Sequence, residues 1–206
     1  MRIGFLGTGF VARAVAVAAA TAGHDVVLGS RHPEAAADRE PPLPVVGLTA
    51  AVEHGEIVVN ATPGTVSLEL LGGLREKLKG KVLLDIAVGL TGERGLAHPN
   101  SSIGEQLQRA LPATRVVKTL CTMDSATMTD PGALSGGSTV FLSGDDAEAK
   151  ARVVALLEDL GWPADSRLDL GGIETSRGQE HFALLFLGIA DALGTYTFNI
   201  RVVPPK

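Results

Sequence analysis

Gly7-Thr8-Gly9-Phe10-Val11-Ala12 fits the spacing G-x-G-x-x-A. Its chemistry is the capture of a pyrophosphate by main chain. A glycine at the first position permits a tight turn at the end of a strand. A glycine at the second lets a phosphate approach the backbone, and a small residue at the third lets the following helix pack on the strand. The first N–H groups of that helix and the positive end of its dipole then face the anion. Thr8 adds a hydroxyl, and Phe10 and Val11 open the helix. Glycine pairs are common in turns, so the spacing gains weight from context. It follows the apolar "RIGFL" and precedes the Ala/Val-rich "FVARAVAVAAATA", a strand, a turn and a helix in the required order. Dinucleotide binding is the reading; a turn with no ligand is the alternative.

The end of the next apolar run, "DVVLGSRH", bears on which dinucleotide. A carboxylate there would accept from a ribose hydroxyl and repel a 2′-phosphate. The sequence instead has Ser30, a hydroxyl donor, and Arg31, a planar cation suited to phosphate. NADP(H) is therefore expected rather than NAD(H), with Arg39 as a possible second positive charge. The alternative is that Arg31 is a solvated loop residue.

Two more loops fall at strand ends, where ligands of open α/β sheets bind. "NATPG" supplies Ala61, Thr62 and Pro63. "IAVGL" supplies Ala87, small enough for a flat ring to lie close. Either loop could instead be plain chain reversal.

Strand-like and helix-like pieces alternate along the whole chain. "EIVVN", "KVLLDIAVGL", "TRVVKTL" and "STVFLSG" read as strands, and "RLDLGG" as a short one. Helices are expected over "TVSLELLGGLREKL", with Gly72-Gly73 as a weak point, over "SIGEQLQRAL", and over "AEAKARVVALLEDL" with Gly161 as its C-terminal cap. A long helix is expected from residue 173 to about 193. Unbroken Val/Ile/Leu runs suit strands covered on both faces, and strand–helix alternation implies a parallel sheet. The fold class expected is α/β, a Rossmann-type doubly wound parallel sheet with a small C-terminal α/β portion.

The bulk numbers set bounds. The 206 residues suit one domain, and 45% hydrophobic residues can build a substantial core. A formal net charge of −5 disfavours a nucleic-acid partner, which needs a basic face. The lone Cys121 excludes an internal disulfide framework and suits a reducing cytoplasm. "FALLFLGIADALG" is too short to span a membrane and contains Asp191. No His/Cys/Asp/Glu cluster has metal-ligand spacing.

Other chemistry-bearing residues have plain readings. Cys121 reads as a small buried hydrophobe, and Met123 as core or the wall of a ring pocket. Arg177 and Glu180, three apart on a helix, read as an ion pair. Asp145 and Asp146 read as helix caps. His181 reads as structural, and Tyr196, the only tyrosine, as packing or a proton donor.

"IGFLGTGFVARAVA", "GHDVVLGSR", "NATPG", "VVKTLCTMDSATMTDP", "VFLSGDDAEAKARVVALLEDLGW" and "LDLGGIETSRGQEHFALLF" together resemble the coenzyme F420:NADP oxidoreductases. The likeness runs over nearly the whole chain. It implies a single NADP-binding domain over 1–206, with about 136–206 contributing to an acceptor pocket and to a homodimer contact. It implies that Ser30 and Arg31 hold the 2′-phosphate. It also implies that the loop after "VVK", with Cys121, Met123 and Ser125, faces the meeting point of the two rings. The reaction implied is direct hydride transfer between NADP(H) and F420 or a flavin-like small-molecule acceptor. Such transfer needs two flat rings in contact and no strong acid. Reduction of a small carbonyl or imine, with Tyr196, Asp124 or His181 as proton donor, stays open. So does an NADP(H)-binding sensor without turnover.

Overall fold

Apolar strands without polar alternation must be covered on both faces, and eight strands here share one sheet so covered. The computed structural model describes residues 1–36, 43–92 and 94–205; Arg39 lies outside them. In chain order the elements are β1 (Arg2–Leu6), α1 (Phe10–Thr21), β2 (Asp25–Ser30), α2 (Pro33–Ala36), β3 (Val45–Gly47), α3 (Leu48–His54) and β4 (Ile57–Asn60). There follow α4 (Gly64–Gly72), α5 (Arg75–Leu78), β5 (Val82–Asp85), α6 (Ile103–Ala110), β6 (Arg115–Thr119) and α7 (Ser125–Thr129). The chain ends with β7 (Val140–Ser143), α8 (Ala147–Asp159), β8 (Arg167–Asp169) and α9 (Ser176–Leu193).

The strand order is β3-β2-β1-β4-β5-β6-β7-β8. Neighbours are parallel except β6 and β7, which run antiparallel with Lys118 opposite Ser143. The order reverses between β1 and β4, the switch point at which open α/β sheets bind ligands. Alternate strand residues serve two cores. Ile3, Phe5, Val59 and Leu84 pack with Val15, Ala16 and Ala19 of α1 and with Val153 and Leu157 of α8. Leu6, Val58, Leu83 and Val116 pack with Val52 of α3, Leu71 of α4 and Ile103 and Leu107 of α6. This is the doubly wound arrangement expected from the sequence.

Several elements differ from expectation. The helix expected over "TVSLELLGGLREKL" breaks into α4 and α5 at its two glycines. A 3-10 turn, Ile173–Thr175, precedes α9. β3, α3 and α7 are too short or too weakly patterned to read from the sequence. Asp146 caps α8 through the Ala149 N–H at 2.7 Å, but Asp145 accepts instead from the Ile173 N–H at 2.8 Å. The expected Arg177–Glu180 pair does not form. Arg177 reaches Glu105 at 2.8 Å, and Glu180 turns into the protein to meet Lys118 at 2.8 Å. The three-residue spacing puts the two on adjoining faces of α9, one toward α6 and one toward the sheet. No described helix is long and apolar enough to cross a membrane.

Ser102 opens α6 by accepting from the Glu105 N–H at 3.0 Å. Arg177 grips the Glu105 carboxylate with Nη2 and Nε, at 2.8 and 3.2 Å. Those bonds hold the Glu105 carboxyl below its ordinary value, against the opposing effect of burial. A depressed carboxyl adds stability that is present above its unfolded value and lost as pH falls through the folded one. The melting temperature should therefore drop on acidification below about pH 4.5, and E105Q should flatten part of that drop. Parallel wild-type and E105Q curves from pH 6 to 3, at roughly half-unit steps by calorimetry, would contradict the assignment.

Candidate functional site: a dinucleotide cleft

The carboxyl ends of β2, β1, β4 and β5 lie side by side, and a cavity of about 510 Å³ opens over them. At ~4.8 Å per strand the cleft crosses about 14 Å of sheet edge. Ser30 and Arg31 stand at the β2 end, the glycine turn at β1, and two loops at β4 and β5. Gly7 has φ +118°, and a Cβ there would meet the Ala61 carbonyl oxygen at 2.7 Å. Its N–H donates to the Gly29 carbonyl at 3.0 Å. Gly7 is thus required by the protein's own turn.

Gly9 is different. A Cβ built on it meets no atom within 4 Å, so the protein's packing does not require a glycine there. The space a side chain would take is the cleft itself. Gly9 also stands at the N-cap of α1 without a side-chain cap, and the first turn of α1 holds no acidic residue. The leading N–H groups of a 12-residue helix therefore face open space with a favourable dipole. This arrangement suits an anion, and a dinucleotide pyrophosphate fits it.

At the β2 end, Ser30 Oγ accepts from the His32 N–H at 3.0 Å, which leaves its own proton free to donate outward. Arg31 is exposed at the cleft wall. Among the described residues no carboxylate lines the cleft. The donor set suits a 2′-phosphate.

The other end is apolar, lined by Ala61, Pro63, Val66, Leu70, Ile86, Ala87 and Val88. Thr62 lines it too, but its hydroxyl is committed inward, donating to Asn60 Oδ1 at 2.7 Å and lying 2.9 Å from Ser67 Oγ. Phe10 stands at the cleft 83% exposed.

Gly7, Thr8, Gly9, Phe10, Val11, Ser30, Arg31, Ala61, Thr62, Pro63 and Ala87 are thus brought together in one cleft. Cys121, Met123 and Ser125 are buried beside it and do not line it. Met123 packs in the core, and the Cys121 thiol points at Gln179 Oε1, 3.8 Å away. Asp124 Oδ1 caps α7 through the Thr127 N–H at 3.0 Å. Leu48, Val66 and Leu70 also line the cleft; as ordinary aliphatics on helices they carry no sequence signal. Among the described residues no His/Cys/Asp/Glu group is placed to hold a metal ion.

A doubly wound sheet with an uncapped helix over a glycine turn, and a hydroxyl and guanidinium at the next strand end, defines a dinucleotide-binding protein of the oxidoreductase type. Residues 2–89 match the family model described as NADP oxidoreductase, coenzyme F420-dependent. A solved structure of a candidate F420-dependent NADP-reductase from Arthrobacter sp. FB24 is 40% identical, covers 99% of this chain and 100% of its own, and superposes with a TM-score of 0.92. The chain belongs to that family. Metalloreductase STEAP3 of Rattus norvegicus is 31% identical over 99% of this chain, and the F420-dependent NADP reductase of Methanocaldococcus jannaschii 28% over 68%. The chain spans 43% of the first and 64% of the second.

Burial pushes the Cys121 thiol up to about 12, despite the Lys118 ammonium nearby. At pH 8 the native thiol should react with Ellman's reagent on the order of a thousandfold more slowly than in unfolded chain. Rapid native labelling would show an exposed thiolate and contradict this placement.

Proposed function

We propose that the protein passes hydride between NADP(H) and a deazaflavin (F420) or flavin-like acceptor. The observation that carries this is the glycine cradle at Gly9, whose open side is cleft and not protein, next to a strand end that offers Ser30 and Arg31 in place of a carboxylate. When bound, NADP(H) supplies or receives the hydride. The first turn of α1 would bind the pyrophosphate, and Ser30 and Arg31 the 2′-phosphate. Ala61, Pro63 and the residues 86–88 would floor the nicotinamide, with Val66 and Leu70 excluding water.

The described residues with ionisable side chains that line the cleft, Arg31 and His32, both stand at the β2 end. Among the described residues the ring end thus holds no acid or base, which suits ring-to-ring hydride transfer governed by contact and orientation. A carbonyl or imine acceptor would need a proton donor there. Asp124 is a helix cap, and the His181 ring nitrogens face the Arg177 and Pro99 carbonyls at 2.7 and 3.0 Å. Tyr196 packs by Phe186, with ring centroids 6.1 Å apart. None of the three lines the cleft.

Leu184, Leu185 and Leu193 leave an exposed apolar face on α9. This supports the further reading that a second copy covers the C-terminal portion, 136–206, in a cytoplasmic homodimer with the acceptor pocket near the contact.

R31A should raise the NADPH dissociation constant by roughly 10–100-fold and move that of NADH by less than about twofold, the worth of a charge-assisted contact. Equal changes for both would contradict the 2′-phosphate role. NADPH oxidation should be seen with F420, FMN or FAD and not without acceptor; inactivity throughout, with binding intact, would favour a sensor.

A further inference from the structure

Lys118 has no access to water, and neither has Asp85. An ammonium carries three protons, and this one has three acceptors. Asp85 Oδ2 and Glu180 Oε1 lie at 2.8 Å each, and the third is the main-chain carbonyl of Ala87. The other Asp85 oxygen accepts from the Ala87 N–H at 3.2 Å and from Asn60 Nδ2 at 2.8 Å. Both main-chain polar groups of Ala87 are therefore held from beneath, turned away from the cleft that the residue lines. Asn60 carries the same hold to the neighbouring loop, where its Oδ1 takes the Thr62 hydroxyl at 2.7 Å. The two loops that wall the ring end of the cleft thus share one buried support.

Glu180 closes the far side. Its oxygens accept from the N–H groups of Ile103 and Gly104, at 2.9 and 3.2 Å, at the start of α6. One cation and two anions leave a surplus negative charge, and the positive end of α6 faces it. A set of apolar residues of similar volume can replace a whole buried ion-paired cluster at little cost in stability, whereas removal of one partner alone is costly. Such a set cannot take hold of a loop carbonyl. The cluster's particular contribution is the fixed orientation of the Ala87 peptide and, through Asn60, of the Thr62 loop.

We infer that Lys118 is a positioning residue: through Ala87, Asp85 and Asn60 it holds the two loops on which the nicotinamide half of the cofactor lies. The inference rests on the NADP(H) reading above. Adenosine 2′,5′-bisphosphate reaches only the β2 end and part of the glycine turn, so it separates the halves of the cleft. K118M should bind the bisphosphate within about twofold of wild type yet lose about tenfold in NADPH affinity, as expected for a displaced ring platform. The fluorescence change of NADPH on binding should shrink with it. E180Q leaves Lys118 on Asp85 and Ala87, so it should lower the melting temperature and leave the NADPH-to-bisphosphate affinity ratio unchanged.

A wild-type ratio in K118M, or an equal loss of ratio in E180Q, overturns the inference and shows the cluster to be structural only. If K118M does not melt cooperatively, D85N carries the same comparison. It keeps a carbonyl for the Ala87 N–H but releases Lys118, and an unchanged ratio there overturns the inference equally. Wild-type protein that binds neither ligand defeats the NADP(H) reading itself, and the inference falls with it.

Discussion

A lysine sealed from water has to be answered by carboxylates, and that requirement links β5, β6, α6 and α9. Desolvation alone would push the Lys118 ammonium toward its neutral form, but Asp85 and Glu180 outweigh it and raise its affinity for the proton. Parallel pairing places Asp85 directly beside Lys118 in the sheet. Glu180 arrives from a helix 62 positions later in sequence than Lys118. Removing one partner of such a group leaves a buried charge unpaired, a loss of ~3–5 kcal/mol. The C-terminal helix is therefore bound to the apolar end of the cleft by charge as well as by packing. Gln179 adds to the joint, donating to Ser143 Oγ at 2.7 Å.

Two glycines of the first strand–turn–helix unit differ in what surrounds them. At Gly4, a Cβ would lie 1.9 Å from the Ala51 carbonyl oxygen, so close approach of α3 to β1 imposes the small residue. At Gly9, no described residue imposes it. A residue kept small against open space, at the head of an uncapped helix, points to something that enters from outside. The distinction between a glycine packed against backbone and one facing open space is geometric, and Gly9 is of the second kind at the mouth of the cleft.

Much of this was legible in the sequence because the parallel sheet writes its strands as unbroken aliphatic runs. The fingerprint at Gly7, Gly9 and Ala12 and the pair Ser30 and Arg31 stood at the ends of such runs, so their positions in the cleft followed from strand order. The short elements β3 and α3 were not legible, because three residues of strand and two turns of helix give too little periodicity. Lys118 and Asp85 were hidden for another reason. A single charge at the end of "RVVK" or "KVLLD" looks like a strand meeting solvent, and only the register shows that the two face each other. Glu180 misled in the same way. Local spacing favoured Arg177, three residues back, but burial of one face of α9 sent the two side chains to different partners. The loop with Cys121, Met123 and Ser125 was placed by resemblance and not by pattern, and here its side chains turn inward beside the cleft.

The cleft separates its charge along its length, and that separation bears on how it can work. The cationic side chain of Arg31 stands exposed at one end, where solvent is near. At the other end Thr62 Oγ1 and the Ala87 N–H and carbonyl are bound inward, so the surface left toward the cleft is aliphatic. An aliphatic wall gives no hydrogen bond to a ring and excludes water from between two rings, so orientation follows from shape and contact alone. Orientation of that kind is only as good as the stiffness of the wall. Stiffness in loops, which lack the ladder bonds of the strands before them, has to come from bonds beneath. Here those bonds converge on a charge that cannot reach water, so a fully buried ion pair of the sheet lies behind an aliphatic stretch of the cleft wall.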